Sequence, residues 1–245
     1  ILTALITISF SWLHAAELQS SGNSTDWHDA NAWTLISGTE SDTIPDADDI
    51  VTIADGDTII IGASASCLSL FVTSTGGNTV LTTNSGTVLT IGDEWQHLGN
   101  AASARVEVTV NGTVDVAGRY YINSSHADFD CDITISSLGQ INANYGLVNT
   151  MDITNSTGSV FACAGVFNVA SSIEFIMQGS SQMTVDLTGT MDVGKSLELN
   201  TQGVSGGIDF NLDGGTLDID QHLILMANGG ASADSLIVNM EYVGA

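Results

Sequence analysis

The sequence predicts an all-β chain wound as a single-stranded parallel β-helix, a β-solenoid of about seven rungs with an N-terminal cap. Three observations carry that expectation. One motif recurs in phase without gaps. Apolar residues alternate with polar ones. The composition suits stacked strands and tight turns, with 26 Gly and a single Pro in 245 residues. The motif is clearest from Gly112 (GTVDVAGRYYIN), Gly189 (GTMDVGKSLELN) and Gly215 (GTLDIDQHLILM). Large apolar residues fall at the second, fourth, eighth and tenth places after each glycine. They are Val114, Val116, Tyr120 and Ile122; Met191, Val193, Leu197 and Leu199; Leu217, Ile219, Leu223 and Leu225. A stretch before each glycine also alternates, as in Val106, Val108 and Val110, or Ile208, Phe210 and Leu212. Period-2 alternation marks a strand with one buried face. A unit of three short strands cannot bury its own apolar face, but stacked copies can. The competing fold, an antiparallel sandwich with Asn-Gly hairpins, does not require the same four offsets to recur.

The elements follow in order. Residues 1–16 are an apolar run ending in small residues, read as the remnant of a secretory signal cleaved after Ala15 or Ala16. A buried N-terminal strand is the alternative for the same stretch. The missing initiator Met and basic region lead us to expect a longer leader. Residues 17–50 form the expected cap segment, with Trp27 and Trp33 packing on the first rung. An aromatic sugar platform is the alternative role for these two indoles. Residues 51–245 hold the solenoid repeats. Their anchor glycines are expected at 56, 86, 112, 139, 158, 189 and 215, with the phase slipping at Ile91 in the second copy. From Gly158 the inward residues would be Val160, Ala162 and Val166. Leu236, Val238 and Met240 fall in the inward phase of a further rung, so the repeat is expected to be cut at its C-terminal end.

Charge narrows the function. The chain has 28 acidic residues against 3 basic ones, a formal net charge of -25. Nucleic acids and anionic membrane surfaces demand Lys and Arg, and here Arg105, Arg119 and Lys195 are scattered. Polyanionic substrates would be repelled. Hydrophobic residues make up 43% of the chain, so its high charge does not imply disorder. Cys67, Cys131 and Cys163 give neither a zinc pattern nor a disulfide framework. Buried thiols are expected, with one bridge conceivable in an exported chain.

No catalytic constellation emerges. A β-helix lyase needs a basic residue near clustered carboxylates, and none of the three bases has such company in sequence. A glycosidase needs two carboxyl groups across a cleft. Asp115, Asp192 and Asp218 share one outward offset, which reads first as a solvated acidic face. No cofactor is expected. Ca2+ is the one metal that the acidic knots Asp128/Asp130/Asp132 and Asp46/Asp48/Asp49 suit, and neither matches a known loop signature. The five histidines, His14, His28, His97, His126 and His222, show no ligand spacing. Trp95 and the Tyr120–Tyr121 pair are the rung aromatics that could meet a glycan, with Tyr120 expected inward.

The opening DWHDANAWTL…IPDADDIVTIADGDTIII resembles that of secreted bacterial β-solenoid surface proteins of the autotransporter-passenger or sorting-signal-anchored type. The residues that carry the resemblance are Trp27, Trp33, Pro45, Ala47, Asp49, Val51 and Ile53. It implies a secreted or cell-surface protein with a structural or adhesive role. Extracellular glycans or cell-surface components would be its partners. A carbohydrate-active enzyme or glycan-binding module on the same scaffold is the alternative.

Overall fold

Alternating residues give strands, and the strands stack in register. The computed structural model describes residues 15–38, 43–99, 101, 103–124, 129–152, 159–178, 182–202, 207–227 and 235–241. Among these the chain is a parallel β-solenoid with three faces and no α-helix. The first face is an eight-stranded sheet. Its strands are Thr58–Ile61, Asn78–Thr83, Arg105–Val110, Asp130–Ile135, Ser159–Cys163, Gln182–Leu187, Gly207–Asp213 and Ser235–Glu241. Each pairs in parallel with the next.

The other two faces begin as shared strands. Ala65–Ser74, Val88–Gly99, Thr113–Ser124 and Gln140–Asp152 bend round one corner and serve both faces. The bends show as register shifts, for example between Cys67 and Ser69 and between Ala143 and Tyr145. Further on the faces separate. The second continues in Val166–Val169, Thr190–Val193 and Thr216–Ile219, and the third in Ile173–Gln178, Ser196–Gln202 and His222–Ala227.

The repeat offsets are ladders of this coil. Leu89, Val114, Ile141, Phe167, Met191 and Leu217 stack on the second face, and so do Ile91, Val116, Ala143, Val169, Val193 and Ile219. All are buried except Leu217 and Ile219, which are half-buried in the last of these strands. Trp95 pairs with Tyr120 and Ile173 with Leu197 on the third face. Leu223 and Leu225, the last inward residues there, are 40% and 49% exposed.

Two copies differ from their expected phase. The glycine that stacks between Gly139 and Gly189 is Gly165; Gly158 lies outside the described residues. Phe161 and Cys163 point inward, while Val160 is 36% exposed. VFACAGVF is apolar at both parities, so alternation could not choose the face, and the larger ring took the interior. In the second copy the anchor is Thr87, whose carbonyl accepts from Thr113 N at 2.8 Å. Leu89, Ile91, Trp95 and His97 then keep the same offsets from Thr87 as their partners keep from Gly112. The expected slip belongs to the turn and not to the strand.

At the N-terminal end Glu17–Ser20 stacks in parallel on Ile50–Ile53. Trp33–Ser37 folds back antiparallel on Glu17–Ser20 and forms the outer edge. Trp27 N donates to Ile60 O (3.2 Å), and Trp33 Nε1 donates to Trp27 O (2.8 Å). The two indoles meet edge to face at 5.1 Å, and both are buried.

Candidate binding surface

Outward residues of the second face form a polar ladder. Asp115, Asn142, Asn168, Asp192 and Asp218 are consecutive partners. The sequence placed the three aspartates at one offset, and the structure puts them in one column. Asn142 Nδ2 donates to Asp115 Oδ1 (2.7 Å) and Asn168 Nδ2 donates to Asn142 Oδ1 (2.9 Å). Gln140 Nε2 donates to the same Asn142 oxygen at 2.8 Å. The amides therefore point one way along the rod, and their dipoles add towards the Asp115 carboxylate. Asp192 and Asp218 are adjacent carboxylates without an amide between them, both exposed on an open face.

Beside Asp115 the corner between the second and third faces opens a shallow groove of about 250 Å³. Thr90, Asp115, Val116, Ala117, Asn142 and Asn144 line it. Two features of the chain make it. Ala117 offers only a methyl group. Gly118 packs so closely on the preceding turn that a Cβ would overlap Asp93 O. Asn144 Nδ2 donates to Ala117 O (3.0 Å), which fixes that side of the groove. An aspartate, two carboxamides and a hydroxyl over an apolar floor suit a ligand rich in hydroxyl groups.

Past the same corner lie Glu94, Gln96, Arg119 and Tyr121. Tyr121 Oη donates to Gln96 Oε1 (2.8 Å), and the Arg119 guanidinium sits 5.8 Å from the centre of the Tyr121 ring. Burial, and then the hydrogen bond and charge of Glu94, push the Tyr121 hydroxyl up to about 12. The phenol therefore stays protonated as a donor at ordinary pH.

The other acidic groups serve local structure. Arg105 Nη2 reaches Asp132 Oδ2 at 2.5 Å and its Nε reaches Glu107 Oε1 at 3.1 Å. Asp130 and Asp132 share an outward face, while Asp128 lies outside the described residues. Asp49 is buried and accepts from Ala16 N (3.2 Å) and Asp46 N (2.8 Å). Asp48 is raised by its hydrogen bond and charge contact with Asp46. The amides of Thr75 and Gly77 each donate to Asp55 Oδ1 at 2.8 Å and hold its carboxyl below the usual range. Among the described residues, no three His, Cys, Asp or Glu side chains converge as a metal site would require.

Several side chains considered for glycan contact are sealed inside. Trp95 is fully buried and stacks on Tyr120 with ring centres 4.4 Å apart, so it offers no platform. Trp27 and Trp33 are closed off as well. Beside the Trp95–Tyr120 stack lies a polar cluster that sequence reasoning missed. His97 is wholly buried, 5.0 Å from Trp95 and 5.5 Å from Tyr120 between ring centres. Its Nδ1 lies 3.6 Å from Cys131 Sγ. Trp95 Nε1, His97 Nε2 and Tyr120 Oη have no hydrogen-bond partner among the described residues. The signal was the tenth-place offset from Thr87, visible only once the second copy is phased correctly. The three cysteines are free and buried, and each thiol is raised by burial. The disulfide held open in the sequence reading is not formed.

No family model matches this chain, nor does any curated protein or solved structure.

Proposed function

We propose that the chain is a secreted or cell-surface rod with a structural or adhesive role, of the kind found in autotransporter passengers and sorting-signal-anchored solenoids. The observation that carries this reading is the outward Asp/Asn ladder bonded along the rod axis. The strand-to-strand hydrogen bonds run along the same axis, so tension along the rod loads them together. A net charge of -25 keeps such rods apart from each other and from nucleic acid or anionic lipid. Neutral extracellular glycans or cell-surface components remain its natural partners.

A glycan-binding module is the second reading, and the groove beside Asp115 favours it. Ala117 is exposed there, so Ala117→Trp fills the groove without entering the core. Beads coated with the chain should retain cellulose or xylan particles above an albumin control. Ala117→Trp should cut that retention at least several-fold, while Glu107→Gln on the first face leaves it intact. No retention of cells or particles would sink the adhesive role. Release of reducing sugar during the incubation would replace both readings with an enzyme.

A further inference from the structure

The hydrogen bonds around the groove run in one direction, and that direction selects a ligand. Each lining carboxamide turns its NH2 end to the protein. Asn142 Nδ2 donates to Asp115 Oδ1 (2.7 Å), and Asn144 Nδ2 donates to Ala117 O (3.0 Å). Asn142 Oδ1 is occupied in turn by Asn168 Nδ2 (2.9 Å) and Gln140 Nε2 (2.8 Å). What faces the groove is mainly oxygen: the second carboxylate oxygen of Asp115, the carbonyl oxygen of Asn144 and the hydroxyl oxygen of Thr90. These atoms accept, so the groove calls for a donor.

Charge points the same way. Asp115 is the one carboxylate among the lining residues, and among the described residues no basic nitrogen lies within ion-pair distance of it. Arg119, two residues beyond Ala117, lies past the corner with its guanidinium 5.8 Å from the centre of the Tyr121 ring. A divalent cation would need more carboxylates than one. An ammonium needs fewer: its three N–H donors are satisfied by one carboxylate, one carbonyl and one hydroxyl. The volume of about 250 Å³ falls below the roughly 300–1,000 Å³ of a site for a drug-sized molecule, so the groove admits a single ring.

We propose that the groove beside Asp115 binds the ammonium of an amino sugar, and that the glycan this chain recognises carries free amines, as a glucosamine polymer does. This rests on the glycan-binding reading of the groove. The ammonium donates to the open oxygens of Asp115, Asn144 and Thr90, while the C–H face of the ring lies on Val116 and Ala117. Bonds from a charged donor to a carboxylate are the stronger kind. An N-acetyl group leaves one N–H, removes the charge and adds bulk to a small groove. The net charge of -25, which turns polyanions away, draws such a polymer in.

Calorimetric titration of the whole chain with hexamers of glucosamine, N-acetylglucosamine and β-1,4-linked glucose tests the proposal. The buffer holds about 0.15 M salt, so that charges more than about 8 Å apart are largely screened. The glucosamine hexamer should bind at least about five-fold more tightly than the other two. Asp115→Asn keeps an acceptor for Asn142, so the ladder stands, and it should erase that preference. Asp209→Asn makes the same change of charge on the first face and should leave the preference intact. Equal binding of the three hexamers keeps the glycan-binding reading and overturns the amine. Equal losses from Asp115→Asn and Asp209→Asn mean diffuse attraction to the acidic surface and overturn the site. A hexalysine peptide that binds as tightly as the sugar, with the same dependence on Asp115, assigns the amine to a basic protein and overturns the sugar. No binding of any hexamer overturns the proposal together with the reading it rests on.

Discussion

His97 stands in a ladder between Val72 and Ile122, where an aliphatic side chain would be the plain choice. Complete burial lowers its pKa from the ordinary 6.5 to about 3. The folded chain therefore keeps the imidazole neutral at pH values where the unfolded chain takes up a proton. Stability from this site is fully present above about pH 6.5 and is lost as the pH falls towards 3. The slope approaches about 1.4 kcal/mol per pH unit inside that window. Carboxylates also titrate there, so the informative quantity is a difference between two proteins. His97→Leu should flatten the dependence of Tm on pH relative to the unsubstituted chain. Parallel curves would show that His97 is not held neutral. The cysteines make a second residue-scale case. Burial raises all three, Cys163 to about 11. Native protein should resist alkylation at mildly alkaline pH, and all three thiols should react once it is denatured. Rapid labelling of the native chain would contradict their burial.

The corner glycines show what an element needs beyond its alternating pattern. Gly165 packs on the turn before it, and a Cβ there would overlap Gly139 O and Ser136 O. These are backbone atoms, fixed by the sheet, so they cannot yield as a flexible side chain would. Gly86 has a φ of +78° with open space around it, so only its backbone conformation resists a side chain. Gly86→Ala should cost about 1–2 kcal/mol, the penalty of a left-handed residue. Gly165→Ala should lower Tm further, because it pushes two rungs apart. Equal losses would mean that the close stacking has been misjudged. The same elements show how far the sequence could be read. Where polar residues separate the apolar ones, as after Gly112, Gly189 and Gly215, the offsets gave the inward ladders directly. Where VFACAGVF is apolar at both parities, or a turn absorbs one residue before Thr87, the phase was lost. With it went His97 and the inward position of Trp95. Asp115, Asp192 and Asp218 were legible as one column. Asn142 and Asn168 between them were not, since they sit in the two copies whose patterns are weaker. The groove depends on the close approach at Gly118, which leaves no periodic trace.

A solenoid transmits stability from neighbour to neighbour, because each turn touches mainly the turns beside it. The charge acts differently. At -25 the carboxylates repel along the whole rod, and salt screens them within about 10 Å at 0.1 M. Tm should therefore rise between low and physiological salt, and an unchanged Tm would show that the outward ladders already offset the repulsion. A change at one end should instead stay near that end. Trp27 is fully buried against the first turn, with Ile60 and Trp33 as its bonded neighbours. Trp27→Ala removes that packing, a loss of about 3–5 kcal/mol at a buried aromatic. In a single cooperative unit this loss would weaken amide protection everywhere. In a chain of nearest neighbours it should fall on Ile50–Ile53, Thr58–Ile61 and Ala65–Ser74, and leave Gln182–Leu187 and Ser196–Gln202 as protected as before. Hydrogen exchange read segment by segment separates the two cases. Uniform loss would mean that the rod folds as one body, and a gradient fading from Trp27 would mean that its turns melt in order from the uncovered end.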